Sequence, residues 1–212
     1  MKVIDLTMTY SDKIAGFSRK EARNLENDGW NASELTIYSH AGTHMDAPFH
    51  FGVSEETIDK VDPKKYVGRA WLVDLSFVKE SQLLQVNDFQ HMASKIEKGD
   101  SLLLRTDWHK RLGTDQYRNA MPRISEELAN WMVDKGVNML GVEALSVADV
   151  NNLPEVTKIH EILLGGGITI IEGLCNLELI KEETVTLIAL PIKFENGDGA
   201  PARVIAIENM QI

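Results

Sequence analysis

Apolar stretches too short for membrane spans recur along the chain, and their periodicity changes several times. Val3-Ile4-Asp5-Leu6 predicts a first strand. Residues 11–33 are polar, carry Gly16 and Gly29, and predict a long loop or lid. Glu34-Leu35-Thr36-Ile37-Tyr38-Ser39 alternates at period two and predicts a strand. Gly42, Pro48 and Gly52 make residues 40–52 a shaped loop rather than a regular helix. Arg69 to Leu75 predicts another strand, and Val86 to Met92 opens a helix with Asn87 as its cap. The Gly99-Asp100 turn leads into a strand from Ser101 to Arg105.

The second half is more regular. Ser125 followed by Glu126 and Glu127 opens a helix through Leu128-Ala129-Asn130-Trp131-Met132 that stops at Gly136. Val137 to Val142 follows as a strand. A helix ending over Lys158 to Leu164 is closed by Gly165-Gly166-Gly167, and Ile168 to Glu172 returns as a strand. Val185 to Pro191 and Ala202 to Ile207 supply two more. No linker or repeat interrupts the pattern, so residues 1–212 form one mixed α/β domain with more sheet than a simple doubly wound fold.

Composition narrows the function. The 212 residues carry 32 acidic and 22 basic side chains, a net charge of −10 that argues against a nucleic-acid surface. No window approaches the ~18 uninterrupted apolar residues of a membrane span. The N-terminus, with Lys2 and Asp5 inside its apolar stretch, does not read as a signal peptide, so a cytoplasmic location is expected. The single cysteine, Cys175, removes disulfides and cysteine-based zinc sites and reads as a small buried hydrophobe.

The histidines carry the chemistry. Three of six, His40, His44 and His50, fall in one 11-residue window together with Asp46. All four occupy even positions, which an extended backbone would turn to one face. Imidazoles with a carboxylate suit a borderline divalent cation: zinc, or manganese with more water in its shell. Zinc lowers the pKa of bound water to about 7 and polarises a carbonyl, which is hydrolytic chemistry. Glu172, alone in an apolar strand, would be costly to bury unpaired, and that points to a ligand role.

The window His40-Ala41-Gly42-Thr43-His44-Met45-Asp46-Ala47-Pro48-Phe49-His50 resembles the H-x-G-T-H-x-D-x-P-x-H motif of the cyclase family, which includes bacterial-type kynurenine formamidases and isatin hydrolases. All seven fixed positions match. Ile159-His160-Glu161-Ile162-Leu163-Leu164 and Ile170-Ile171-Glu172-Gly173-Leu174 resemble the family's second ligand segment, and Pro191 to Lys193 with Gly197 to Val204 resemble its C-terminal strand pair. The resemblance implies a swivelling β/β/α architecture in dimers or tetramers. It implies that His40, His44 and Asp46 bind one metal, and that in two-metal members the aspartate bridges to a second ion completed by His160 and Glu172. His50 is then catalytic, or touches the second metal. The activity implied is hydrolysis of a formamide or cyclic amide C–N bond in a small-molecule substrate.

Other residues receive simpler readings. Gly165-Gly166-Gly167 lacks a following Lys-Ser/Thr and is a helix stop, not a phosphate loop. His91 and His109 read as solvated, and Asp28, Glu34 and Glu143 as solvated or structural. Trp30 and Phe49 line an aromatic pocket or pack. Two rival functions use the same residues. A non-haem iron oxygenase would use His44, Asp46 and His160 as its triad, leaving His40 and Glu172 unexplained. A non-catalytic metal-binding protein would close the coordination shell entirely.

Overall fold

Strands that are apolar on both faces need cover on both, and this requirement sets the architecture. The computed structural model describes residues 1–210. In chain order the elements are β1 (Lys2–Asp5), β2 (Phe17–Arg23), α1 (Leu25–Asp28), β3 (Ala32–Ile37), β4 (His44–Asp46), β5 (Val67–Asp74), β6 (Leu83–Leu84) and β7 (Ser101–Arg105). They continue as α2 (Asp115–Asn119), β8 (Arg123–Ile124), α3 (Glu126–Lys135), β9 (Met139–Val142), α4 (Leu153–Gly165), β10 (Thr169–Glu172), β11 (Thr184–Pro191) and β12 (Gly199–Glu208). Single 3-10 turns lie between them.

The main sheet runs β1-β12-β11-β5-β7-β9-β10-β4. Its middle, β5-β7-β9-β10, is parallel, and the flanking pairs are antiparallel. The first residues of β12 also pair with β4, Gly199 opposite Asp46 and Pro201 opposite His44, so the sheet curls into a closed ring. The interior holds Met45, Leu103, Met139, Ile171, Leu187 and Val204. Leu102, Leu104, Leu140 and Ile170 face outward against Leu128 and Met132 of α3 and Ile159 and Leu163 of α4. Gly141 lies where any side chain would meet Leu103 and Leu174. A mixed α/β single domain is what the sequence pattern implied.

Several expectations change in detail. Residues 11–33 are not a loop: β2 and β3 form a separate exposed hairpin, with Phe17 opposite Ile37. The period-two run at 34–39 does form a strand, through Ile37, as the later part of that hairpin. The segment from Val86 makes only a 3-10 turn over Val86–Phe89, capped by Gln85 rather than Asn87. α3 forms as read, because Ser125 accepts a hydrogen bond from Leu128 N and Gly136 takes a left-handed φ of 69°.

Candidate metal centre and cleft

Four elements carry the candidate ligands inward. His44 and Asp46 lie on β4, Glu172 ends β10, His160 lies on α4, and His40 sits in the turn before β4. β4 and β10 are neighbours, with His44 opposite Glu172 in the ladder. The two segments meet closely at Gly42 and Gly173, both at positive φ (61° and 67°). Thr43 Oγ1 donates to Gly173 O at 2.5 Å and accepts from Met8 N at 2.8 Å.

The geometry centres on Asp46, whose side chain is almost wholly buried. Its Oδ1 lies 2.9 Å from His40 Nδ1 and 3.7 Å from His44 Nε2, and its Oδ2 lies 3.6 Å from His160 Nε2. Glu172 stands behind, with Oε2 3.2 Å from His44 Nε2 and Oε1 3.4 Å from His160 Nε2. One oxygen of Asp46 thus faces two imidazoles, and the other faces a third beside a second carboxylate.

The far nitrogens are tied down. His44 Nδ1 donates to Gly42 O at 3.0 Å and His160 Nδ1 to Val156 O at 2.8 Å, which leaves both Nε2 atoms turned toward the carboxylates. His40 Nε2 lies 2.9 Å from Asp198 Oδ2. Outer acceptors of this kind fix the tautomer and orientation of metal-binding imidazoles.

Among the described residues, two buried atoms of the cluster remain without a hydrogen-bond partner: His44 Nε2, which is out of line for Glu172, and Asp46 Oδ2. Leaving such atoms unsatisfied is costly. A divalent cation accepts lone pairs from both, so the donor set fits the metal that the sequence implied.

Electrostatics agree with mutual attraction. Burial opposes protonation of His40, but its bonds to Asp46 and Asp198 outweigh it and raise the imidazole to about 9. Burial likewise opposes charge on His44 and His160, while Glu172 raises both. Burial disfavours the Glu172 carboxylate, yet His160 and His44 hold its pKa well below the usual range. His50 behaves differently, since burial, with help from His40 and His160, lowers its pKa despite Asp46. Its ring stacks on His40 with centroids 3.8 Å apart, and its Nδ1 lies 3.7 Å from Asp198 Oδ2.

The six expected site residues converge, although not along one extended face. Only His44 and Asp46 share a strand; His50 reaches the cluster from the 3-10 turn Pro48–Phe51. Asp198 is the residue that sequence reasoning missed. A short acidic residue between Gly197 and Gly199 looks like turn chemistry, and only the closure of β12 on β4 brings it to His40. Trp30 and Phe49 are exposed and line no part of the cleft described next. His109 is a correction: it is largely buried and its Nδ1 lies 2.7 Å from Glu143 Oε1. Glu143 is fully buried and also accepts from Thr106 N and Trp108 N, which is a structural role. His91 is exposed and Cys175 buried, as read.

A cleft of about 470 Å³ opens onto His40, His44 and Glu172, with Met8, Ile14 and Tyr117 among its apolar walls. A cluster of imidazoles and carboxylates able to hold a metal, beside an open, largely apolar cleft, is suited to act on a small organic molecule.

Comparison with known proteins fits this picture. The Cyclase family model matches residues 4–149. A kynurenine formamidase from Bacillus mycoides (strain KBAB4) is 30% identical over 209 residues, 95% of either chain. The solved isatin hydrolase A from Ralstonia solanacearum superposes with a TM-score of 0.88 at 25% identity, covering 98% of this chain and 92% of that one. A structure described as a "predicted metal-dependent hydrolase" from Bacillus stearothermophilus gives 0.78 at 27% identity, with 97% of each chain covered. Fold, side-chain set and relatives define a metal-dependent amidohydrolase acting on a small molecule. The chain belongs to the cyclase family.

Proposed function

We propose that the chain hydrolyses the C–N bond of an aryl formamide or a related cyclic amide, with His40, His44, Asp46, His160 and Glu172 holding two divalent cations, zinc by preference. The observation that carries this reading is Asp46, whose two oxygens face different imidazoles while one of them lacks a hydrogen-bond donor among the described residues. Cations held there supply Lewis acidity toward the amide carbonyl and lower the pKa of water.

The protein's own groups do the rest. Gly42 O, Val156 O and Asp198 hold the imidazoles in one orientation, so the site needs little rearrangement during reaction. The apolar wall of the cleft excludes water from the aryl body. His50, its pKa lowered by burial and its ring stacked on His40, accepts a proton from the attacking water. It returns that proton to the departing nitrogen, the general-acid role open to an imidazole.

The iron-oxygenase triad leaves two converging side chains, His40 and Glu172, without a role. A closed metal carrier leaves the cleft without one. We place the enzyme in the cytoplasm as a dimer or tetramer; light scattering measures the latter. The test is a screen of N-formylkynurenine, isatin and simple cyclic imides with added zinc or manganese, reading formate release or ring opening. Turnover that needs metal but no oxygen is expected. Oxygen consumption with iron, or turnover indifferent to chelation, overturns the reading.

A further inference from the structure

A second group of metal-binding side chains gathers where three neighbouring parallel strands end. β7, β9 and β10 run side by side in the sheet. His109 follows β7 in the 3-10 turn Trp108–Arg111, Glu143 directly follows β9, and Glu178 lies beyond β10 in the 3-10 turn Leu177–Leu179. One donor atom from each lies within 4.8 Å of the other two. The carboxyl ends of parallel strands are where α/β sheets collect ligands.

The three side chains differ in what they leave free. Glu143 is fully buried, and its Oε2 accepts from Thr106 N and Trp108 N. Its Oε1 lies 2.7 Å from His109 Nδ1, so the ring donates there and turns Nε2 the other way. A carboxylate behind the imidazole is the outer support that metal-binding histidines use. Nε2 faces Glu178 Oε1 at 3.7 Å, too long for a hydrogen bond. Two ligand atoms each ~2.0–2.1 Å from a tetrahedral zinc stand about 3.4 Å apart, close to that gap. Glu178 Oε2 is buried and lacks a hydrogen-bond donor among the described residues, and the only side chain there that pairs with this carboxylate is His109. The His109 and Glu178 side chains stay 13% and 25% exposed, which leaves water a way in.

We propose that His109 Nε2 and the Glu178 carboxylate bind one divalent cation of the zinc type, with Glu143 fixing the imidazole and water completing the shell. The site shares no residue with the cluster around Asp46. Two protein side chains hold a cation less tightly than five, so this is the weakest step of metal binding. The cation ties the turn after β7 to the turn after β10. The first of these runs on into Leu112 and Tyr117, which line the cleft, so the clip secures the base of that wall.

The test titrates metal-free protein with zinc alone, by calorimetry, and compares it with Glu178→Gln and His109→Gln. The unaltered protein should bind one zinc more per chain than either variant, in its weakest step, whatever number the Asp46 cluster holds. Glu182→Gln, which removes an exposed acid nearby, should bind as the unaltered protein does. Zinc beyond the strong steps should raise Tm in the unaltered protein and not in Glu178→Gln, since a cation bound only to the folded state stabilises it. Anomalous diffraction at the zinc edge should place a peak between His109 Nε2 and Glu178 in zinc-soaked crystals. Should His109→Gln fail to fold, Glu178→Gln decides alone, because its side chain reaches solvent. Equal zinc counts in the unaltered and Glu178→Gln proteins overturn the proposal and leave a plain ion pair. A peak in soaked crystals without the extra step in solution is binding at crystal concentration only, and overturns it too. None of these readouts involves turnover, so the outcome is separate from the fate of the hydrolase reading.

Discussion

Each histidine around Asp46 has one nitrogen committed outward and one turned in, so single substitutions should separate holding a metal from using it. His44→Ala removes an inward nitrogen and leaves Glu172 and Asp46 facing each other with less positive charge between them. Tight metal binding should be lost, as read by metal analysis after dialysis. His50→Ala should keep at least one metal per chain and lower kcat by about 10² to 10⁴; normal turnover in that variant would remove its assigned role. Asp198→Asn is subtler. The amide keeps the shape but not the charge opposite His40 Nε2. Metal affinity, measured by competition with a chromophoric chelator, should weaken about 10- to 100-fold, and Asp198→Glu should recover part of it. Equal affinity in all three proteins would leave Asp198 without a positioning role.

Among the elements, the long parallel core was legible in sequence and the short ones were not, and the difference has physical causes. β7 reads Ser-Leu-Leu-Leu-Arg, and burial on both faces admits nothing else. α3 carries its own start and stop in Ser125 and Gly136. By contrast, the hairpin of β2 and β3 buries little, so its polar sequence resembles a loop. β4 is three residues long and owes its existence to ladders with β10 and β12 that no local pattern announces. The candidate ligands were nameable from residue type and motif, but their meeting depends on Gly173. At φ 67°, with a would-be Cβ driven into the Gly42 carbonyl, this position has no room for a side chain. Gly173→Ala should cost about 2 kcal/mol or more in denaturant unfolding and should weaken metal binding, because it forces β4 and β10 apart. A variant of unchanged stability and affinity would show that the contact is slack.

For the whole molecule, the His109–Glu143 pair links stability to pH. Burial works against the charged imidazole, but Glu143 prevails and raises the folded pKa of His109 above its ordinary value. A group raised on folding contributes fully below its unfolded pKa, about 6.5, and loses that contribution as pH rises through the folded value. The stability advantage of the unaltered protein over His109→Gln should therefore be larger near about pH 6 than near about pH 9 in urea titrations of the metal-free forms. An advantage independent of pH would mean that the imidazole is neutral throughout.

Closure of the ring through β4 also dictates when the enzyme becomes an enzyme. The contact from Thr43 to Gly173 spans 130 positions, and the pairing of β4 with the start of β12 spans more. A chain emerging from the ribosome at about 5–20 residues per second therefore displays its histidine-rich segment well before the strands that flank it exist. Nascent chains stopped short of Gly199 carry all five side chains proposed to bind metal around Asp46 and lack the wall that gathers them, so the proposed loading of that centre with metal belongs to the last stage of maturation.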